Sequence, residues 1–204
     1  MTSTAAGAPS DGVVVAVVLA AGEGSRFTAS GGHKLLADLG GKPMIAWAVE
    51  AALDAGLAET VVVEGAVALA EALRGAGLLG RVTLVRNERW SEGQAVSLAR
   101  GLAVAGAAGA TAAVVGLGDQ PLIGAEAWRR LAAAPAEPPI AVATYGGRRR
   151  NPVRLGREIW GLLPIEGDEG ARVLIRGRPD LVMEVPCPGE PADIDTVEDL
   201  RRWS

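Results

Sequence analysis

With 204 residues, 49% of them apolar but only 3% aromatic, the chain has the size of one domain with a sizeable core and a composition suited to α/β layers rather than a β-sandwich. A formal charge of −4 excludes bulk nucleic-acid binding, which needs a basic face, so any anion site must be locally basic. A single cysteine, Cys187, excludes an internal disulfide and a thiolate metal cluster, and no apolar stretch is long enough to cross a bilayer.

Residues 1–11 are small and polar, with neither a basic start nor an apolar run. That predicts a disordered tail rather than a signal peptide, with 12–204 as the folded unit. The cysteine count and the lack of membrane signals point to a cytoplasmic protein. Residues 13–20, VVVAVVLA, show no polar alternation. Such a run suits a central parallel strand covered on both faces. It enters a turn bearing Gly22 and Gly24, with Arg26 inside it and Lys34 closing it. Open α/β sheets bind ligands at turns of this kind, at the carboxyl ends of their strands. Glycine lets backbone N–H groups approach an anion without a Cβ in the way, and the two cations add full charge. The stretch reads as a loop that cradles phosphates. It is not the dinucleotide fingerprint, which fails at Phe27 where a third glycine belongs. Nor is it the Walker loop, because Lys34 follows His33 and precedes Leu35.

What remains is Leu19-Ala20-Ala21-Gly22-Glu23-Gly24-Ser25-Arg26 with a later Lys34-Leu35-Leu36. This resembles the signature of the MobA-like nucleotidyltransferases, and the Ala-Ala-Gly form is most similar to the branch that cytidylylates molybdopterin. The resemblance implies a single-domain, Rossmann-like three-layer α/β sandwich with a mostly parallel sheet, like the nucleotide-diphospho-sugar transferases. It implies nucleotide contacts at Leu19, Ala20, Ala21, Gly22, Gly24, Ser25, Arg26 and Lys34, with Arg26 and Lys34 catalytic. One departure stands out. Phe27 replaces the family's methionine, and 28–32 lengthen the loop before the lysine. His33 reads as an incidental loop residue.

Pro43 can open a helix, and Met44, Ile45, Trp47, Ala48, Ala51, Ala52 and Ala55 then recur at helical spacing until Gly56. Trp47 reads as core rather than a ligand platform. A strand is predicted at 60–63, a short helix at 67–73 and another strand at 82–85. Ser91 and Gln94 form a capping box, predicting a helix from near Glu92 with free N–H groups above the sheet. The segment resembles the family's Glu-Gly-x-x-x-Ser-Leu element, which implies nucleotide contacts at Gly93, Gln94 and Ser97. An ordinary capped helix would look the same.

A buried strand at 111–117 ends in Gly118-Asp119-Gln120-Pro121; the helix that follows runs to 131, from Pro121 if Asp119 is only its cap, or from Gly124 or Ala125 without it. An aspartate released at the end of a central strand sits at the ligand crevice. The string resembles that of the molybdopterin cytidylyltransferases. By that resemblance Gly118 and Asp119 touch the nucleotide, and Asp119 is catalytic and binds magnesium. A proline-rich link at 135–139 and a strand at 140–144 precede a basic turn at 146–150, followed by Asn151 and Pro152. The family places its pterin acceptor near this element, which implies acceptor contacts at Asn151 and Pro152. Asp168 is an N-cap candidate for a helix running to 175 or 176. Its Gly-Asp-x-Gly-Ala-Arg string again resembles the cytidylyltransferase branch and implies a third acceptor contact there. A strand follows at 181–185. Asp193 and Asp195 share one face of an extended segment. The family's closing element implies that Asp195 completes the metal site while Asp193 holds the turn. Thr196 and Asp199 cap a final helix.

Together these imply magnesium-dependent transfer of CMP from CTP to the terminal phosphate of molybdopterin, with release of pyrophosphate. A phosphate nucleophile has a second pKa of about 6 and needs no general base, which suits a chain with one histidine. The implied partners are CTP or another nucleoside triphosphate, a phosphorylated acceptor, and a molybdoenzyme or its chaperone; nucleic acid and membrane are excluded. Alternatives are guanylyl transfer, transfer to a sugar or polyol phosphate, and a nucleotide-binding regulator without turnover.

Overall fold

The computed structural model describes residues 12–24, 32–194 and 198–199. The expected tail at 1–11, Ser25, Arg26, most of the lengthened loop, Asp195 and Thr196 lie outside the described residues. Strand β1 (Val14–Ala20) is followed by a two-stranded ribbon of β2 (Asp38–Leu39) and β3 (Lys42–Pro43). Then come α1 (Met44–Asp54), β4 (Glu59–Glu64), α2 (Ala70–Gly75) and β5 (Thr83–Arg86). The second half holds α3 (Gln94–Ala107), β6 (Ala112–Leu117), α4 (Ala125–Ala132), β7 (Ile140–Tyr145), β8 (Arg148–Gly156), α5 (Arg172–Gly177) and β9 (Val182–Pro186).

Seven strands make one sheet in the order β5-β4-β1-β6-β8-β7-β9. All neighbours are parallel except β8, which runs antiparallel to both β6 and β7. β1 is central, and its side chains divide between two cores. Ala16, Val18 and Ala20 pack with Ile45 and Val49 of α1 and Trp128 and Leu131 of α4. Val15, Val17 and Leu19 pack with Leu98, Leu102 and Ala105 of α3. Burial on both faces is why the run carries no polar alternation. The result is the expected three-layer α/β sandwich. Trp47 is core as expected: its Nε1 donates to Leu39 O at 2.8 Å and its ring packs beside Leu39, Met44 and Ile194. Among the described residues no helix is long and apolar enough to cross a membrane.

Three expectations need correction. The arginine run is not a turn. Gly146 and Gly147, with φ of 55° and 76°, make the turn alone, and Arg148 already starts β8. Two consecutive positive-φ residues suit a two-residue hairpin turn. Pro152 is tolerated in this strand because register shifts between Val142 and Ala143, so Asn151 and Pro152 bulge out of the ladder. Second, no Ser91 capping box forms. A 3₁₀ turn spans Trp90–Glu92, and α3 starts at Gln94 behind Gly93, whose φ is 109°. By contrast, α4 starts at Ala125 behind Gly124, the start that leaves Asp119 free of a capping role. Third, Asp168 caps no helix, since α5 opens at Arg172 with Ala171 before it.

Candidate active site

β1 and β6 pair in register with Leu19 opposite Leu117, so both strands end at the same place. Gly118 N–H donates to Leu19 O at 2.9 Å. A Cβ at Gly118 would lie 2.7 Å from Ile45 Cδ1 and 3.1 Å from Ala20 Cβ, so a side chain here would have to push Ile45 aside. Gly65 does the same at the end of β4. A Cβ there would stand 2.7 Å from Ala21 O and 2.6 Å from Trp90 Cβ. Ala66 N–H also ties Ala21 O at 3.0 Å. Gly65 escaped the sequence reading; its one signal is a glycine just past a strand.

Lys34 begins a 3₁₀ turn, Lys34–Leu36, and its Nζ donates to Asp119 Oδ2 at 2.5 Å. Both side chains are mostly buried, at 13% and 20% exposure. Asp119 Oδ1 is buried without a hydrogen-bond partner among the described residues. A carboxylate oxygen held out of water without a donor is costly, and a divalent cation would satisfy it. The donor type fits: oxygen ligands beside a phosphate-sized cleft suit magnesium or manganese rather than zinc. The described residues contain no cluster of three or more metal-ligating side chains, so Asp119 would need a ligand from outside them. The closing segment is tied to Asp119 and to its neighbour Gln120 through Asp193 and Ile194. Ile194 N–H donates to Asp119 O at 3.1 Å, and Gln120 Nε2 donates to Asp193 Oδ1 at 2.6 Å. Asp193 therefore holds the turn, and Asp195 follows Ile194 in sequence.

His33 is not incidental. Its Nε2–H donates to Gly22 O at 3.0 Å, while its Nδ1 accepts from Leu35 N–H at 3.3 Å. The ring thus fastens the start of the glycine turn to the lysine. Donating from one nitrogen and accepting at the other requires the neutral imidazole. Burial lowers its pKa, opposed by the bond to Gly22 and reinforced by the Lys34 charge.

The amino end of α3 is less open than its sequence suggests. Ala95 N–H is taken by Gly167 O at 2.9 Å, so a loop covers part of the helix start. A Cβ on Gly93 would lie 2.5 Å from Gly167 C and O, which explains the glycine. Ser97 Oγ accepts from Asn87 Nδ2 at 2.9 Å, both residues being buried. Asn87 was not expected at the site, and nothing in the local sequence marks it.

Two cavities open over these elements. The first, about 340 Å³, is walled by the glycine turn, Lys34, Gly93, Ser97, Asp119 and Asp168. The second, about 500 Å³, is walled by Gln120, Arg149, Arg150, Asn151, Arg172 and Val153 among others. Leu19, Gln94 and Leu117 belong to both, so the cavities adjoin. The structure thus brings Leu19, Ala20, Ala21, Gly22, Gly24, Lys34, Gly93, Gln94, Ser97 and Asp119 to one place, with Gly118 buried behind them. Asn151 lies at the second cavity and Pro152 is buried beside it, whereas Asp168 stands at the first.

Comparison with known proteins agrees with this geometry. The MobA-like NTP transferase domain matches residues 16–182. The nicotine blue oxidoreductase of Paenarthrobacter nicotinovorans is 34% identical over 203 residues, covering 93% of this chain and 95% of that protein. The bifunctional protein GlmU of Pelobacter propionicus is 36% identical over 163 residues, covering 79% of this chain but 33% of that protein. Among solved structures, a nucleotidyl transferase from Methanothermobacter thermautotroptrophicus superposes with a TM-score of 0.76 at 28% identity, covering 93% of this chain and 95% of that one. Rv0371c of Mycobacterium tuberculosis, solved in complex with manganese, superposes with a TM-score of 0.74 at 28% identity, covering 93% and 97%.

Proposed function

We propose, from the premise that this chain belongs to the MobA-like NTP transferase family, that it transfers CMP from CTP to the terminal phosphate of molybdopterin and releases pyrophosphate. The observation that carries this reading is the Lys34–Asp119 pair at the joint exit of β1 and β6, with one Asp119 oxygen still lacking a partner among the described residues. Asp119 and Asp195 would hold a magnesium ion, which when bound offsets triphosphate charge near the α-phosphorus. Lys34 gives up Asp119 to take phosphate oxygens, and Arg26 supplies a second cation. The turn at Gly22 and Gly24 offers backbone N–H groups to the same phosphates. Gly93, Gln94 and Ser97 lie against the base and sugar. The acceptor occupies the second cavity beside Asn151, so its phosphate reaches the nucleotide across Leu19 and Leu117. Asp168, from its place at the first cavity, contacts the nucleotide side rather than the acceptor ring.

The test is pyrophosphate release from CTP, magnesium and molybdopterin. Turnover with CTP exceeding that with GTP supports the reading; preference for GTP makes it a guanylyltransferase. Turnover with sugar or polyol phosphates instead would move it toward those acceptors. CTP binding without pyrophosphate would make it a regulator. Asp119→Asn should lower turnover by at least about 100-fold with the fold intact. Near-normal activity in that variant would remove the metal assignment. Arg26→Ala should weaken CTP binding.

A second reading has one observation in its favour: a relative matching over nearly the whole chain is an oxidoreductase. The first cavity would then hold a nucleotide-bearing reductant. NADH or NADPH oxidation in the presence of an acceptor dye, with no pyrophosphate from CTP, would select it. The Lys34–Asp119 pair favours triphosphate chemistry, since hydride transfer needs no metal-binding carboxylate.

A further inference from the structure

The first cavity holds a residue to which CMP transfer assigns no role. Trp90 lies in its wall and is half-buried. Among the described residues the rest of that wall is aliphatic or polar, so Trp90 brings its only aromatic side chain. Core packing does not account for it. Trp47, Trp128 and Trp160 each pack with a hydrophobic cluster of the fold, and Trp90 packs with none of these clusters.

The position of Trp90 is nonetheless closely held. Behind it stands Gly65, where a Cβ would lie 2.6 Å from Trp90 Cβ and 2.7 Å from Ala21 O, so Trp90 sits directly against the exits of β4 and β1. Ahead of it in sequence, Asn87 fastens the turn with three bonds. Its N–H donates to Glu64 O at 2.8 Å, its Oδ1 accepts from Arg89 N–H at 3.0 Å, and its Nδ2 donates to Ser97 Oγ. Beyond it, Gly93 N–H donates to Trp90 O at 3.3 Å, and Arg89 Nε donates to Glu92 at 2.6 Å across the turn. A large ring with its backbone fixed loses little freedom when a ligand covers it.

We infer that Trp90 is the platform for the nucleobase, its indole covered by the base while the triphosphate runs toward Lys34 and Asp119 in the same wall. It rests on the first cavity being the nucleotide's. Every base has a π face, so the stack adds affinity without choosing the base. Base choice then falls to groups that reach the base's edges. Trp90 acts on nucleotide affinity rather than on the chemical step.

The probes are CTP, GTP and inorganic tripolyphosphate, each titrated calorimetrically with magnesium into the full chain. Tripolyphosphate carries the charge and no base. Trp90→Leu should weaken every nucleotide that binds by the same factor, at least about fivefold, and leave tripolyphosphate affinity unchanged. Unchanged tripolyphosphate binding also shows that the variant is folded. Trp90→Phe, which keeps an aromatic face, should lose less. CTP should quench tryptophan emission, and Trp90→Phe should abolish that quench while CTP still binds. Equal losses for CTP and tripolyphosphate, unchanged CTP affinity in Trp90→Leu, a quench that survives in Trp90→Phe, or no nucleotide binding at all overturns the inference. CMP transfer to molybdopterin is measured in parallel. Nucleotide binding with these dependences but no transfer removes the proposed function and keeps the platform. Transfer with CTP affinity indifferent to Trp90 does the reverse.

Discussion

Lys34 Nζ and Asp119 Oδ2 stand 2.5 Å apart, a bond between residues 85 positions apart in sequence that joins the glycine turn to the end of β6. The lysine occupies an oxygen that a divalent cation would also use. Lys34→Ala should therefore act in two directions. Manganese affinity without nucleotide should rise, because the competing cation is gone. Turnover with CTP should fall by about 100-fold, because a phosphate ligand is gone. Calorimetric metal titration and pyrophosphate release read the two effects. A variant that loses metal affinity would mean that the pair assists the cation rather than competing with it.

Gly93→Ala should damage both the fold and the site. The residue has a φ of 109°, and a Cβ would meet the Gly167 carbonyl at 2.5 Å. Strain of this kind costs roughly 1–3 kcal/mol. For a chain this long, thermal unfolding should drop by several degrees, about 2–4 °C per kcal/mol. The Michaelis constant for CTP should rise as the Gly167 loop moves away from the helix start. An unchanged melting temperature would show that the loop yields freely.

Ser97→Ala leaves Asn87 Nδ2 buried without its acceptor. Stranding that donor costs about 1–3 kcal/mol. The cost should shrink when Asn87→Ala is added, because the stranded group disappears with it. Denaturant unfolding of the two single variants and the double variant measures the coupling. Strict additivity would show that the bond contributes nothing in solution.

His33 should impose an acid limb on CTP binding. Its two hydrogen bonds need the neutral ring, and its pKa is lowered, first by burial. A His33 ring released from these two bonds therefore takes up a proton more readily than the bonded ring. The tether from His33 to Gly22 and Leu35 is fully present above the ordinary histidine value of 6.5 and is lost as pH falls through the lowered value. Nucleotide phosphates titrate in this range too, so the readout is the difference between the profiles of the parent and His33→Ala. The variant should bind CTP more weakly at pH 8, and the gap should narrow toward pH 5. Parallel profiles across that range would assign the acid limb to the nucleotide.

Much of the site could be read without coordinates, and for a common reason. The unbroken valine run of β1, the glycines that follow it and the Gly118-Asp119 release at the end of β6 are all local patterns. A strand buried on both faces has to be apolar throughout, and its exit has to bend, so composition records both. Lys34 and Asp119 could be expected to meet because parallel strands bring their carboxyl ends together. Other features were set by distances between segments remote in sequence. Three arginines look like a solvated turn until pairing with β7 makes them a strand. Asp168 reaches the first cavity rather than the second because Gly93 has no side chain to hold Gly167 away. Asn87, Gly65, His33 and Gln120 owe their roles to a neighbour contributed by another segment, and residue type at one position carries no record of that neighbour. The chain's own letters therefore determined the strands, the bends and the charges beside them, while only tertiary packing decided which side chains those charges and bends would meet.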